Sequence, residues 1–435
     1  MNKIFKIVFN AARGKMMVVN EATSSVQTGK KAAVTVAVVG ALASGVALAD
    51  NATGITTITD QALTGSVYGG GSVSSGTYNV GATGVVLNNV TADNFYHIAG
   101  GPLVKQNTNK EHFNVTYTAG SEAEEANGKV ATSVAVKDSK FTNTTMILGA
   151  GYIYGAGKAE NFNPTVKVYG SSVVLDNVTT ENGYVVGGAR IYQGRNATVE
   201  VTNTNVTLTG NTVVQRVIGG SYIGGNPSQY LKQVKTDSSN IYIGKDAVVT
   251  KLVVGGHYYD YHGTDAVINT TNIVIDGAQL SDEAMVVGGS YLALLGGANA
   301  PVNCDTDVVA TNITIKNGAK VGSVYGGDYL LSGGENYAID STANEVSLVI
   351  ENATVNGNVI GGSVVDGTKA NANVTDAVTI QITDTVVAGT ITTDNFEQGQ
   401  FVANKNKITE SEIDLTNVKA DAVVASNPKS RISEL

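Results

Sequence analysis

A short motif of two apolar residues followed by two small ones recurs nine times along this chain of 435 residues. The first apolar residue is Val or Ile in every copy, and the first small residue is always Gly. These glycines are Gly69, Gly100, Gly149, Gly187, Gly219, Gly255, Gly288, Gly326 and Gly361. Self-similarity at such a period indicates a repeat architecture, in which each copy buries its apolar face against the next copy.

A second element precedes the motif at a nearly constant distance. It is an apolar-x-apolar segment, such as Val173–Leu175 or Ile273–Ile275, that begins 13 to 15 residues before the first Gly. Turn formers such as Asp276-Gly277 separate the two elements. Residues 378–391 resemble a degenerate tenth copy. No window after residue 50 shows a helical period, so each copy is predicted to contribute two or three short strands.

These spacings predict an all-β fold, a β-solenoid in the form of a right-handed parallel β-helix of nine or ten coils. We expect the repeat domain to span residues 50–395, and residues 396–435 to be a terminal cap or a truncated continuation. Connections of variable length are expected to gather on one side of the rod. The longest lies between Leu103 and Val134 and contains the acidic residues Glu122, Glu124 and Glu125.

The first 49 residues have the pattern of an export signal. Lys30 and Lys31 precede an apolar run over residues 32–46, which is shorter than the roughly 20 residues of a membrane-spanning helix. The sequence Ala47-Leu48-Ala49 then places small residues at the two positions that a signal peptidase reads, with Asp50 after the cut. A signal peptide is therefore predicted over residues 1–49, and an uncleaved N-terminal anchor is the alternative.

An ordinary signal peptide has about 15–30 residues, so this one carries a long additional front. Its sequence resembles the extended signal peptide region of type V secretion passengers. The matching positions are Met1-Asn2-Lys3, Phe5, Lys6, Phe9, Asn10, Arg13-Gly14 and Val18-Val19-Asn20-Glu21. The resemblance implies an autotransporter, a two-partner secreted protein or a trimeric adhesin, exported by the Sec route across the inner membrane of a Gram-negative bacterium. It also implies a β-helical passenger at the cell surface or outside the cell.

The same resemblance implies an outer-membrane translocator as a partner. Only 73 residues follow Gly362, whereas a translocator of this kind needs well over about 200 residues. The Asn-Pro-Asn-Leu motif of two-partner passengers and the repeats of trimeric adhesins are missing from the sequence. We therefore expect a truncated passenger, or one that depends on a separate transporter.

Composition excludes some functions. Without the leader the chain has 22 basic residues (28 − 6) and 36 acidic ones (37 − 1), a net charge near −14. Such a surface argues against nucleic acid as a partner, because phosphate binding needs clustered Lys and Arg. The single cysteine, Cys304, permits no internal disulfide and is expected to be a buried thiol.

Sequence motifs for chemistry are scarce. The nucleophile motifs of protease and esterase passengers do not occur, and Gly-Gly is not followed by the Gly-x-Asp of calcium-binding rolls. Four histidines exist, His97, His112, His257 and His262, and the segment His257–His262 includes Asp260. A zinc site needs three or four ligands in defined geometry, so a loop is the preferred interpretation. We predict no catalytic residues, no cofactor and no metal.

One aromatic pattern remains. Five copies carry a tyrosine three residues after the first Gly, namely Tyr152, Tyr222, Tyr258, Tyr291 and Tyr329. Equivalent positions of a solenoid stack on one another, so these rings are expected to form a ladder that supports the rod, or a strip that contacts a glycan or a protein. The other copies have Ser72, Leu103, Arg190 and Val364 there, which favours structural stacking.

The chain is thus interpreted as a surface-exposed or secreted adhesin of the autotransporter type. It would mediate adhesion to a host-cell or neighbouring-cell surface, or self-association, by many weak contacts along a repetitive face. The alternative is a β-helical polysaccharide-degrading enzyme, which would require paired carboxylates in a groove of the helix.

Overall fold

The computed structural model describes residues 5–10, 15–20, 54–105, 113–155, 162–192, 196–224, 231–260, 265–294, 302–332, 337–366, 370–402, 410–424 and 430–432. The chain divides into two compact units, Met1–Ala37 and Val38–Leu435. In the first unit, strands β1 (Phe5–Asn10) and β2 (Lys15–Asn20) pair antiparallel. The predicted cleavage residues Ala47, Ala49 and Asp50 lie outside the described residues.

The second unit is built almost entirely from strands. The first group of strands is β3 Gly54–Thr59, β4 Val67–Tyr68, β5 Ser72–Val73, β6 Gly76–Val80, β7 Thr83–Asn88, β8 Thr91–Ala92, β9 His97–Ala99, β10 Leu103–Lys105, β11 Phe113–Ala119, β12 Thr132–Phe141, β13 Met146–Leu148, β14 Gly151–Tyr154, β15 Phe162–Val168, β16 Ser171–Val186 and β17 Ala189–Tyr192. The second group is β18 Thr198–Thr209, β19 Val213–Ile218, β20 Tyr222–Gly224, β21 Gln233–Ile243, β22 Val248–Val254, β23 Tyr258–Asp260, β24 Ala266–Asp276, β25 Met285–Val287, β26 Tyr291–Leu294, β27 Val302–Lys316, β28 Lys320–Val321, β29 Ser323–Tyr325 and β30 Tyr329–Ser332. The third group is β31 Tyr337–Glu351, β32 Thr354–Val355, β33 Val359–Ile360, β34 Val364–Asp366, β35 Ala370–Thr392, β36 Asn395–Glu397, β37 Gln400–Val402, β38 Glu410–Val424 and β39 Ser430–Ile432.

Each strand pairs in parallel with the equivalent strand of the next coil, as in the series β18, β21, β24 and β27. The sequence prediction of a parallel β-solenoid is therefore confirmed. The predicted count of nine or ten coils is slightly too high, because the solenoid makes about eight turns. The copies at the ends form incomplete turns: β36 pairs antiparallel with β37, which ends that sheet, although β38 still continues the parallel ladder of β35. The hand of the coil stays a prediction.

One coil has three parts, shown by β21, β22 and β23. A long strand (β21) bends at its middle, a return strand (β22) follows a tight turn, and a short strand (β23) follows Gly255-Gly256. Between β10 and β38, the segments outside the described residues come after the short strands from β10 to β34 and after β37; a further one follows β38. The corner between the long and return strands is short in the described coils except after β24, where eight residues separate Asp276 from Met285.

That short corner explains the Asn and Asp residues in the turns. Nine of them have a positive φ: Asp60, Asn89, Asp138, Asn177, Asp246, Asn317, Asn352, Asp384 and Asn417. Asn and Asp tolerate the left-handed conformation better than other non-glycine residues, so the chain turns there without a long loop. Several of them also bond from coil to coil, as Asn177 Nδ2 does to Asp138 Oδ1 at 3.0 Å.

The interior has two apolar compartments separated by a waist. One compartment lies between the second half of the long strand and the return strand, and includes Ile273 and Val286. The other lies between the first half of the long strand and the short strand, and includes Val199 and Ile191. At the waist, the Gly-Gly corner approaches the middle of the long strand. Hydroxyl groups of the long strand donate hydrogen bonds there to carbonyl oxygens of the corner, as Thr271 Oγ1 does to Gly288 O at 2.7 Å.

The waist explains the paired glycines. A Cβ on Gly288 would lie 2.3 Å from the carbonyl oxygen of Gly326 in the next coil, and one on Gly255 would lie 2.9 Å from Thr271 Cβ. Real Cβ atoms do not approach other heavy atoms so closely. Gly is therefore needed for close approach in two directions, along the rod and across it.

A short helix lies at the bend of one long strand. Helix α1 (Glu122–Ala126) joins β11 to β12 within the segment that the sequence marked as the longest connection. Ser121 caps the helix by accepting from the amide of Glu124, and Glu125 accepts hydrogen bonds from Thr202 and Asn203. The acidic run therefore contacts a strand far along the chain. Among the described residues, no helix is long and apolar enough to cross a membrane.

Candidate functional site

The outer side of the Gly-Gly corner forms a crease lined by aromatic rings. Residues just before the glycines, such as Val186 and Val254, face outward there and contact outward residues of the short strand, such as Tyr222 and Tyr258. Two successive strands can touch on their outer sides only where the backbone bends back on itself. The aromatic crease comprises Tyr68, Ala99, Met146, Leu148, Tyr152, Tyr184, Val186, Ile218, Tyr222, Leu252, Val254, Tyr258, Met285, Val287, Tyr291, Ala293, Tyr325 and Tyr329.

The five tyrosines singled out in the sequence occupy one register of the crease. From coil to coil the paired residues are Leu103, Tyr152, Arg190, Tyr222, Tyr258, Tyr291, Tyr329 and Val364. The rings of Tyr258 and Tyr291 stack at 5.3 Å and 6°, and those of Tyr291 and Tyr329 stack at 5.0 Å and 10°. Tyr222 meets Tyr258 edge-on at 5.0 Å.

Most of this ladder is covered. Tyr222, Tyr258 and Tyr291 are 5%, 7% and 9% exposed. Their rings pack against neighbouring rings, and little of their surface remains for a ligand. Burial raises the pKa of Tyr152 and of Tyr329 to about 12, which keeps both hydroxyls neutral. The middle of the ladder therefore supports the rod, and the crease offers a ligand its edges and its interruptions.

Charged groups enter the crease near its middle. Arg216 donates to the hydroxyl of Tyr184 and lies 4.7 Å from the centroid of that ring. Tyr184 stacks on Tyr222 at 5.6 Å, and the Tyr222 hydroxyl donates to Asp260 Oδ2 at 3.2 Å. Burial raises the pKa of Asp260, while the Tyr222 hydroxyl and the two arginines near it act in the opposite direction.

Arg190 interrupts the ladder. Its guanidinium lies 4.4 Å from the centroid of the Tyr222 ring and 6.0 Å from that of Tyr152, so cation–π contacts replace ring stacking at this rung. Nε and Nη1 of Arg190 are buried and have no hydrogen-bond partner among the described residues. The sequence marked this position only as a break in the ladder.

His97 lies beside this interruption. It stacks on Tyr152 at 4.4 Å, and the ring of Phe95, which is 45% exposed, meets it edge-on at 4.8 Å. Burial, and then the charge of Arg190, lower the pKa of His97 to about 4, so the imidazole is neutral at neutral pH.

The inner side of the same corner carries a polar ladder that the sequence interpretation missed. In six successive coils, the side chain after the second small residue accepts a hydrogen bond from the backbone N–H of the equivalent residue one coil earlier. The donor–acceptor pairs are Ala189–Ser221, Ser221–His257, His257–Ser290, Ser290–Asp328, Asp328–Ser363 and Ser363–Asn395. All six acceptors are buried. The signal that would have revealed this inner polar ladder is the run of Ser, His and Asp directly after Gly-Gly.

Two members of the inner polar ladder are ionisable. Burial lowers the pKa of His257 to about 4, and it raises the pKa of Asp328 to about 6 against hydrogen bonds from Ser341 and Ser290. His257 Nδ1 accepts from the Ser221 amide at 2.9 Å, so it acts as a structural acceptor. His112 and His262 lie outside the described residues. Across the described ranges, no three His, Cys, Asp or Glu side chains converge on a metal position. Cys304 lies in β27, with its side chain outside the described residues.

A flat outer surface lies on the second halves of four long strands. We name it the amide face; it comprises Asn205, Thr207, Ser238, Asn240, Tyr242, Thr270, Asn272, Val274, Ala310, Asn312 and Thr314. Its four asparagines form a ladder in which each Nδ2 donates to Oδ1 of the preceding rung, at 3.2, 2.9 and 3.1 Å. The face itself contains no ionisable group except the Tyr242 hydroxyl, but the ion pair of Asp276 and Lys316 borders it at the return-strand corner. Thr207, Asn240 and Val274 are buried, and the other members are half-buried.

Comparisons with known proteins identify the leader. Residues 1–49 match the family model described as the Extended Signal Peptide of the Type V secretion system. No curated protein and no solved structure matches the chain. A type V signal followed by a parallel β-solenoid fits an autotransporter passenger. The signal implies Sec-dependent export in a Gram-negative bacterium.

Proposed function

We propose that this passenger acts at the cell surface as an adhesin, and that copies on neighbouring cells associate through their amide faces. The observation that carries the proposal is the amide face itself. Its rungs repeat from coil to coil and carry no charged side chain, with the ion pair of Asp276 and Lys316 at its border, on a protein whose exported part has a net charge near −14.

Charge favours a second copy as the partner at this face. Two acidic molecules repel each other wherever their carboxylates meet, and like-charge contacts weaken association. The amide face can approach a copy of itself without that repulsion. Its Asn and Thr side chains supply both donors and acceptors, and a repeat of equal rungs allows many weak contacts to add.

The short corner turns support the same surface. Long connections would hold two rods apart, whereas the described corners next to the amide face consist of three to eight residues each.

Polysaccharide degradation is the competing function, and the crease is the place where it would occur. Asp260 is half-buried and bonded to Tyr222 there. Hydrolysis of a glycosidic bond by paired acids needs two carboxylates across the bond.

The test is sedimentation of the exported protein together with aggregation of cells that display it. Thr314→Glu places a carboxylate on the amide face and is expected to lower the association constant at least about tenfold. Val386→Glu adds the same charge at a position 46% exposed on the return-strand part of β35, and is expected to leave association unchanged. A wild-type protein that stays monomeric and aggregates no cells would contradict the proposal. Sugar release from a polysaccharide panel would then favour the enzyme.

A further inference from the structure

The first coil of the solenoid presents a strand edge at the end of the rod. We name it the N-terminal edge; it comprises β3, β4, β5 and β6. Among the described residues, each of these strands pairs on one side only, with β7, β9, β10 and β11 respectively. The longest is β3, with the sequence Gly-Ile-Thr-Thr-Ile-Thr, whose β-branched residues favour a strand. Backbone groups on the outer side of β3 are therefore available to another strand.

The apolar interior is less covered at this end than at the other. Stacking in register places Thr56 and Ile58 of β3 at the same positions of the coil as Ile413 and Leu415 of β38. Thr56 is exposed and Ile58 half-buried, whereas Ile413 and Leu415 are 0% and 1% exposed. Strand β39 pairs with β38 there and covers that end. No described strand covers β3 in the same way.

The N-terminal edge also lacks the residues that keep strand edges apart. Soluble proteins protect an edge with charged side chains, especially Lys, with Pro, or with a covering segment. Residues 54–80 contain neither Lys nor Pro, and Asp60 is their one charged residue. Strand β38 at the other end carries charges at Glu410, Glu412, Asp414, Lys419 and Asp421. One end of the rod is therefore protected against strand pairing, and the other is suited to it.

A second copy is the partner that fits this edge. Removal of the leader at the predicted site leaves residues 50–53 before β3, about 14 Å of extended chain, which is too little to cover four strands. A second N-terminal edge brings unpaired backbone groups and apolar side chains with little charge. The β38 edge of another copy is charged and already pairs with β39 in part. Pairing of two N-terminal edges is therefore favoured over pairing of opposite ends.

We propose that two copies of the passenger join head to head, with β3 of one copy pairing antiparallel with β3 of the other. A two-fold axis brings the same strand from both copies together, so the assembly closes at a dimer. The interface is separate from the amide face, which lies on β18, β21, β24 and β27. The inference goes beyond the proposed function and does not depend on it.

The test is sedimentation of the exported protein carrying Thr314→Glu, which weakens association through the amide face. A monomer–dimer equilibrium is expected. Adding Thr57→Lys should lower the dimer association constant at least about tenfold, because Thr57 faces outward on β3 and two lysines would meet near the axis. Adding Thr116→Lys is the matched control. Thr116 lies on β11, which pairs on both sides, so the dimer should persist.

Three results would overturn the proposal. They are a monomer with Thr314→Glu alone, a dimer that survives Thr57→Lys, and a series of ever larger oligomers, which would indicate joining of opposite ends. Thermal midpoints of all variants should match, and Ile55→Lys, at an exposed neighbouring position of β3, should act as Thr57→Lys does. Cell aggregation lost in Thr314→Glu with the dimer retained would support both proposals, and either can fail without the other.

Discussion

The inner and outer sides of the Gly-Gly corner carry two ladders with different roles: the inner one satisfies buried backbone amides, and the outer one packs aromatic rings. On the inner side, a buried polar side chain in each of six coils accepts the backbone N–H of the preceding coil. On the outer side, rings stack on rings, and the series is interrupted by Arg190. The inner ladder varies in residue type but always keeps an acceptor, because a buried amide without a partner is costly. The outer ladder has no such obligation, so a departure from it is a better indication of function.

The largest expected effect comes from changing the corner that both ladders share. Gly288→Val places side-chain atoms where a Cβ alone would lie 2.3 Å from the Gly326 carbonyl oxygen. We expect the free energy of unfolding to fall by at least about 3 kcal/mol, measured by urea denaturation. Gly65→Ala, at a glycine whose added Cβ meets nothing within 4 Å, should change it by less than about 0.5 kcal/mol. Similar losses in both variants would refute the close-approach explanation.

Breaking the outer ladder comes next in size. Tyr291→Ala removes a ring that stacks on both neighbours and is 9% exposed, so unfolding should become easier by about 3 kcal/mol. Tyr291→Phe keeps the ring and should cost less than about 1 kcal/mol. A small effect of the alanine variant in thermal melts would show that the ring is not packed, and would favour a ligand-facing role for the whole ladder.

Breaking the inner ladder is expected to have a somewhat smaller effect. His257→Ala leaves the Ser221 amide without its acceptor in a buried position, which should destabilise the protein by about 2 kcal/mol. His257→Asn retains an acceptor and should recover at least half of that loss. If the two variants have the same thermal midpoint, the ladder contributes packing and not hydrogen bonding.

The smallest effect is a pH dependence from Asp328. Its folded-state pKa of about 6 lies above the ordinary value of 3.8, so the folded protein binds the proton more readily than the unfolded chain. Stability from this group therefore rises as pH falls through 6, by about 1 kcal/mol between pH 7 and pH 5. His257 acts oppositely, because its pKa of about 4 lies below 6.5, and stability is lost as pH falls below 6.5.

The two groups are separated by comparing variants. The difference in unfolding free energy between wild type and Asp328→Asn, followed by urea denaturation at both pH values, isolates the aspartate. That difference should move in favour of wild type on acidification. A difference that is constant with pH would mean that Asp328 does not titrate in this range.

Much of the fold could be predicted from the sequence, for a physical reason. The Val or Ile two residues before the first Gly is inward in coil after coil, as Val185, Val217 and Val253 show, because β-branched residues pack well between stacked strands. The period, the strands and the tight corner follow from residue type alone. The waist could not be predicted from the sequence, because the Ser or Thr residues that bond to the glycine carbonyls look like ordinary strand residues there.

The site was less accessible from the sequence. The register of the tyrosines could be read from spacing, but their burial depends on how sharply the corner folds back. Arg190 looked like a defect of the ladder in the sequence, whereas in the structure its guanidinium packs on the Tyr222 ring and lies near Asp260. The amide face has no sequence motif, because it forms only when residues far apart in the sequence stack in successive coils.

Both proposals depend on one claim, that equivalent positions of successive coils stack in register without slippage. The most direct test is a distance between spin labels at Thr118 and Asp307, in a protein with Cys304→Ser. The paired series Thr118, Lys167, Glu200, Lys235, Val267 and Asp307 spans five steps between strands. At about 4.8 Å per step, the account predicts a single narrow distribution near about 24 Å. A broad distribution, or one centred beyond about 40 Å, would contradict it.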